Sequence, residues 1–404
     1  MAWLNQKLNS PPNPQTELGR LQILSTTAAI RVSPLALGGG NIGQAWNQTW
    51  GFQTKERAFE LLDAYLEAGG NFIDTSNTYQ DGESETWIGE WLSLSPSRRD
   101  RVVIATKYTS DFALLDSSCP ARQKGQFANC AGNSRRSLFQ SVKSSLMRLR
   151  TEWIDILYVH WWDYTASIEE VIDSLNVLVQ QGKVLYLGVS DTPAWIVSAA
   201  NTYAKSHGKV GFSVYSGKWS VLARDVEREV LPMCKAFGMA FVPWGALGSG
   251  FLQSKRQMEE RERQGEGLRA WGRGRGREGE MSDALERIGS ELGVESVTCV
   301  ALAYVLTKAK RMGVHCVYPV IGGRKVEQLK ENIQALELEL TEEQIAALER
   351  VKEFDIGFPH DFIGGDPDMT GVWGDLTAQT VYLSPPPTAS RAKEDVENTG
   401  VFFA

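Results

Sequence analysis

A closed (β/α)8 barrel, the TIM barrel, is the α/β fold class that this 404-residue sequence predicts. Short β-rich runs alternate with helical patterns, which implies right-handed βαβ units and a parallel sheet. Eight such runs occur in one chain, enough to close a barrel. A doubly wound sheet is the alternative. It usually carries G-x-G-x-x-G after its first strand, and here the first run ends in GGGNIG.

The elements follow in order. RLQIL and AIRVS are two early strand candidates, read as a β-hairpin that plugs the N-terminal end of the barrel; a disordered arm is the other reading of this region. The barrel strands are read at 35–40, 71–76, 102–108, 154–161, 184–191, 211–217, 239–245 and 317–323. Between them, TKERAFELLDAYLEAG puts Ala58, Leu61, Leu62 and Leu66 on one helical face and ends in glycine. SRRSLFQSVKSSLMRLR and IEEVIDSLNVLVQQGK follow the same rule. Ser, Thr or Asp precedes several of these helices and Gly follows them, as caps require. Long loops at the C-terminal face are expected over 109–134 and 253–283. The division is an arm over 1–17, a barrel over 18–353 and a tail over 354–404.

Composition narrows the function. With 42% hydrophobic and 23% charged residues the chain is ordinary globular material. A net charge of −7 argues against broad electrostatic binding to nucleic acid or an anionic membrane. No apolar run reaches the ~18 residues that span a bilayer, and the polar, Pro-rich start has no apolar secretory core. GRGRGRE is read as a flexible charged loop rather than an RNA-binding tract, being short and flanked by acidic residues. Cys119, Cys130, Cys234, Cys299 and Cys316 are an odd, scattered set, which suggests reduced thiols in a cytoplasmic protein, although Cys119 and Cys130 share a loop and could bridge. The four histidines are scattered too, so no metal site is expected.

NFIDTSNTYQDGESE places Asp74 at the mouth of an apolar strand and Tyr79 in the loop beyond it. A carboxylate buried there alone would cost several kcal/mol or more, so it needs a partner. Lys107 ends the third barrel strand and His160 the fourth. Neighbouring strands lie ~4.8 Å apart, so the three side chains converge. Asp74 is expected to pair with Lys107, whose ammonium then faces Tyr79. A nearby cation lowers a phenol's pKa and makes it a tuned proton donor. Taken singly, the ion pair could be structural, the tyrosine a packed loop aromatic and the histidine a core residue. Together, on successive strand ends, they are far more specific.

With GGNFIDTSNTYQDGESE, VVIATKY, EWIDILYVHWWD, VLYLGVSD, PWGALGSGFL and VIGGRKVEQLKENI in order, the chain from about 18 to 353 resembles the aldo-keto reductases. Within that family it is most similar to the fungal norsolorinic acid reductase and aryl-alcohol dehydrogenase branch, through ELGRLQILSTTAAIRVSPLALGGGNIG, SGKWSVLARDVEREVLPMCKAFGMAFVPWG and FDIGFPHDFIGGDP. The resemblance implies a catalytic tetrad of Asp74, Tyr79, Lys107 and His160, and NADP(H) bound extended across the barrel top. Ser190 and Asp191 match the positions that hold the carboxamide, and Trp219 that of the aromatic that stacks on the nicotinamide. Gly245, Leu247, Gly248 and Gly250 match the loop around the pyrophosphate. Gly322, Gly323, Arg324, Gln328, Glu331 and Asn332 match the stretch around the adenosine and its 2′-phosphate, with Arg324 the natural phosphate partner. Ser216 stands where the family commonly has Gln, so the carboxamide clamp is expected to be weaker or water-bridged.

The expected activity is NADPH-dependent reduction of an aldehyde or ketone. The rival is a catalytically weak NADPH-binding regulatory subunit on the same fold. The small-molecule partner is a carbonyl or alcohol; nucleic acid and membrane are not expected partners, and the chain is expected as a monomer or homodimer. Trp46, Trp161 and Trp162 follow barrel strands on the catalytic side and, with Tyr79 and His160, are expected to form a pocket for a bulky aromatic or polycyclic intermediate of secondary metabolism.

Overall fold

The computed structural model describes residues 13–111, 128–254 and 277–364, together with Glu259 and Arg263. Two antiparallel strands open the chain, β1 (Gln22–Ser25) and β2 (Ala28–Val32). Their connection is only Thr26–Thr27, tighter than the sequence suggested. Eight parallel strands follow: β3 (Ala36–Gly38), β4 (Phe72–Asp74), β5 (Val103–Tyr108), β6 (Ile154–Val159), β7 (Val184–Ser190), β8 (Phe212–Lys218), β9 (Ala240–Trp244) and β10 (Val320–Ile321). They pair in chain order, and β10 returns to β3. The remaining seam is closed by a bridge between Phe241 and Val317. The last strand is shorter than its apolar run because Pro319 has no N–H to give; its carbonyl accepts from Ala36 instead.

Helices α1 (Lys55–Glu67), α2 (Glu83–Ser93), α3 (Arg135–Leu149), α4 (Ile168–Gln180), α5 (Ala194–Ser206) and α6 (Val230–Phe237) lie between successive strands from β3 to β9. Ala58, Leu61, Leu62 and Leu66 of α1 are buried on one face, as their spacing requires. Thr54, Ser134 and Ser167 cap α1, α3 and α4 through their side-chain oxygens. Two helices, α7 (Glu278–Leu292) and α8 (Val297–Arg311), separate β9 from β10, and α9 (Val326–Gln334) and α10 (Glu342–Val351) follow it. Helix α7 starts inside the stretch expected to be a loop, because Met281, Ala284, Leu285 and Ile288 give it a buried stripe. No single helix among the described residues is long and apolar enough to cross a membrane.

Strand parity divides the core. Phe72, Val103, Ala105, Ile156, Tyr158, Val214, Ala240, Val242 and Tyr318 fill the barrel interior, and Leu24, Ala28 and Val32 of the hairpin join them from one end. The hairpin is therefore a plug, tied down where Tyr318 Oη donates to the Ile23 carbonyl and Thr26 Oγ1 to that of Gly238. The alternate residues of the strands pack outward under the helices. Since side chains alternate with period two, Asp74, Lys107 and His160 share the inward parity of Phe72, Ala105 and Tyr158. They sit at the strands' C-terminal ends and cap the interior.

The compact unit Met1–Asp355 holds all of this. The second, Ile356–Ala404, is described through residue 364 and has a one-turn helix, His360–Ile363, after a cis Phe358–Pro359 bond. Residues 1–12, most of the 109–134 and 253–283 segments, the tail from 365 and Cys119, with its possible bridge to Cys130, lie outside the described residues.

Candidate active site

The β4–β5–β6 register brings the first groups together. Asp74 pairs with Ala105 and Lys107 with Tyr158, so the lysine leans back over the shorter β4. Lys107 Nζ donates to Asp74 Oδ1 at 2.5 Å and to the Thr75 carbonyl at 2.8 Å. Both side chains are at most 4% exposed. Such a pair is tolerated only because each charge has its partner in place. The ammonium lies 5.0 Å from the centre of the Tyr79 ring, and Tyr79 meets His160 edge-on with centroids 5.9 Å apart. The four residues thus occupy one spot at the mouth.

The electrostatics correct one expectation. Lys107 does pull the Tyr79 phenol down, but burial pushes it up further, and Asp74 and Asp191 add to that push. The net is a phenol above its ordinary value, not below it. Burial also raises the Asp74 carboxyl, against the pull of Lys107. For Lys107 burial works downward, and the charges of Asp74 and Tyr79 outweigh it, so the ammonium is held above its ordinary range. Burial, then Lys107, drives His160 down to about 3, which makes it a neutral imidazole through the physiological range. Its Nδ1 is 3.2 Å from Ser76 Oγ. If the hydroxyl donates there, the ring proton resides on Nε2.

A scaffold that sequence reasoning missed holds Tyr79. Gln80 and Asp81 adopt φ of 50° and 64°, and Gly82 follows at 88°. This left-handed run is uncommon outside glycine and is paid for by contacts. Gln80 accepts from Trp46 N and donates to the Gly40 carbonyl, while Trp46 Nε1 donates to Asp81. Trp46 is thereby set edge-on to Tyr79, with centroids 6.4 Å apart. Below the loop, fully buried Glu85 accepts from Thr106 and from Arg148, and Arg148 also donates to the Asn77 carbonyl at 3.0 Å. Nothing in local pattern marks these contacts, since they join residues up to 71 positions apart.

The cofactor candidates lie on neighbouring strand ends. Ser190 is in register with Ser216, both buried, and Asp191 N donates to the Ser216 carbonyl. Asp191, at φ 42°, accepts from Trp244 Nε1. After β9, Gly245, Gly248 and Gly250 all have positive φ around Leu247, in a tight turn where Gly248 N donates to the Gly245 carbonyl and Gly250 N to that of Leu247. After β10, Gly322 and Gly323 lead through Arg324 into α9, where Gln328 caps by accepting from Arg324 N at 2.9 Å. Glu331 accepts from Ser296 Oγ, and Asn332 is buried. A side chain at Gly51, which has φ of 90°, would stand 1.8 Å from Arg324 Nη1. Glycine there lets the guanidinium come close against the backbone of the β3–α1 loop.

Two tryptophans depart from expectation. Trp219 has no exposed surface; its Nε1 donates to Glu227 and its ring packs edge-on to Phe241, so no face is open for stacking. Trp162 is buried in the outer core under the helices rather than facing the mouth. Trp161 is 40% exposed, with Nε1 3.2 Å from Ser110 Oγ, and Trp46 is half-buried.

A sequence model of the aldo/keto reductase family matches residues 34–353. Aldo-keto reductase ausK of Emericella nidulans is 53% identical to this chain over 92% of each. Aryl-alcohol dehydrogenase GME11368 of Pestalotiopsis microspora is 48% identical over 88% of each. The aryl-alcohol dehydrogenase [NADP(+)] of Phanerodontia chrysosporium is 45% identical over 88% of this chain and 92% of its own.

Proposed function

Because the chain belongs to the aldo/keto reductase family, we propose that it is an NADPH-dependent reductase of aryl aldehydes and flat ring ketones, with Tyr79 as proton donor. The observation that carries the reading is the Lys107 ammonium, bound to Asp74 and 5.0 Å from the Tyr79 ring at the barrel mouth. When bound, NADPH supplies the hydride. The residues present suit it: a positive-φ glycine loop for a pyrophosphate, an arginine beside the N-terminus of α9 for a 2′-phosphate, and Ser190 with Ser216 for an amide. Ser216 is shorter than Gln and donates one proton, so it makes the looser clamp.

The chain's own groups complete the chemistry. A phenol is protonated at neutral pH, and burial moves that of Tyr79 further above its ordinary value, so it has a proton to give to an oxygen that gains charge. Lys107 stabilises the phenolate left behind, and Asp74 holds Lys107 in place. Neutral His160 orients the same oxygen through a hydrogen bond.

Arg324→Ala is expected to weaken NADPH about 10- to 150-fold and NADH much less, since a charge-assisted phosphate contact is worth ~1.5–3 kcal/mol. Gly51→Ala should reproduce that selectivity more mildly, by displacing the guanidinium. Fluorescence titration of both cofactors measures it; equal losses would show that Arg324 does not read the 2′-phosphate.

The aromatic substrate class rests on Trp46 and Trp161 at the mouth, and an intermediate of secondary metabolism suits flat indole walls. A fused-ring ketone or aryl aldehyde should show higher kcat/KM than a small aliphatic aldehyde, and Trp161→Ala or Trp46→Ala should cut that preference. An aliphatic preference, unchanged by either substitution, would leave the tryptophans as scaffolding.

A further inference from the structure

Tyr158 lies in the barrel interior, directly beside Lys107 in the β5–β6 register. It has no exposed surface, and its hydroxyl has no hydrogen-bond partner among the described residues. Asp74 Oδ2, close enough to influence the same phenol, has none either. A tyrosine that buries its hydroxyl unpaired costs more than phenylalanine would. The hydroxyl makes no stabilising contact among the described residues, and what the side chain presents to its surroundings is its ring. Its centre is 5.5 Å from Lys107 Nζ, within cation–π range, and Tyr79 gives the ammonium its other aromatic face at 5.0 Å. The neighbouring strand makes room: a side chain on Gly188, Tyr158's register partner, would stand 2.5 Å from Tyr158 Cδ1. Leucine at 158 would keep the interior apolar but would offer the ammonium no negative π face.

We propose that Tyr158 is a positioning residue of the reductase, whose buried ring holds the Lys107 ammonium charged and directed at Tyr79. The inference rests on the reading of Tyr79 as proton donor. The charged and titratable groups around Lys107 are Asp74 from β4, Tyr79 from the loop beyond it, Tyr158 from β6, His160 at the end of β6 and Asp191 at the end of β7. Among them Tyr158 is the one that meets the ammonium from within the barrel core. Its contribution is electrostatic through the ring, so it should follow the ring's electron density and not the hydroxyl.

The test keeps the shape and varies the electrons. Tyr158→Phe keeps the ring and serves as the reference for the series, with equal or higher Tm expected once the unpaired hydroxyl is gone. Mono-, di- and trifluorophenylalanine at 158 should then lower kcat for carbonyl reduction in steps, up to about 30-fold. The alkaline limb should move to lower pH in the same order, because an electron-poor ring no longer favours the ammonium and the Tyr79–Lys107 pair loses its proton sooner. NADPH affinity should not change. A flat fluorinated series, or a Tyr158→Phe variant as impaired as the trifluoro form, would overturn the inference. Tyr79→Phe run beside it separates the two levels. If that variant is inactive and the series is flat, Tyr158 alone is removed; if it keeps full activity, the proton-donor reading fails and the inference with it.

Discussion

Tyr79→Phe is expected to lose carbonyl reduction by ~10²–10⁴-fold, the usual worth of a general acid, while binding NADPH as the parent does. The ring and its edge contacts to Trp46 and His160 survive in phenylalanine, so the loss isolates the hydroxyl. Burial, ahead of the pull of Lys107, keeps this phenol above its ordinary value of 10.0. Reduction by the parent should therefore stay level through neutral pH and fall only on the alkaline side. Oxidation of the alcohol, which needs the phenolate, should rise in that same range. Initial rates in both directions against pH, with cofactor titrations of the mutant, check the prediction. A mutant with most of its activity, or a parent whose reduction fades near neutrality, would contradict it.

Lys107→Met should damage both folding and catalysis. Removing the ammonium leaves Asp74 buried at 3% exposure without its counter-charge. Breaking a buried pair from one side typically costs ~3–5 kcal/mol, less whatever Asp74 recovers by taking up a proton. Asp74→Asn/Lys107→Met removes both charges and should regain most of the lost stability, since a pair of neutral groups is often tolerated in place of a buried pair. It should not regain reduction, because Tyr79 still lacks its cation. Thermal unfolding and kcat, measured on the two single mutants and the double, make a cycle in which the two effects separate. Recovery of activity together with stability would mean that Lys107 only supports the fold.

The polar residues at the strand ends were legible in the sequence for a physical reason. An apolar strand that ends in Asp, Lys or His must place that group at a solvent or ligand boundary, and period-two parity says which face it shares. Asp74, Lys107 and His160 were readable on that ground, and the hairpin plug from two β-rich runs close together ahead of the barrel. What the strands do not encode is the side-chain environment around those positions. The direction of the Tyr79 shift depends on burial competing with one nearby charge, a balance no local pattern carries. Trp219 and Trp162 follow strands just as Trp161 does, yet Glu227 and the outer core take their rings away from the mouth. Arg148, Glu85 and Gly51 act across long sequence separations and have no motif. Tyr158 had a signal that went unused: it lies two residues before His160, so it shares that residue's inward face.

The most direct measurement is deuterium transfer. The protein is incubated with NADPH deuterated at nicotinamide C4 and an aryl aldehyde, and the products are analysed by mass spectrometry. The expected result is an aryl alcohol with one deuterium on its carbinol carbon, formed over many turnovers by the parent and in trace by Tyr79→Phe. Tight NADPH binding with no deuterated alcohol from any aryl aldehyde or fused-ring ketone would contradict the reductase reading and leave a cofactor-binding barrel without turnover.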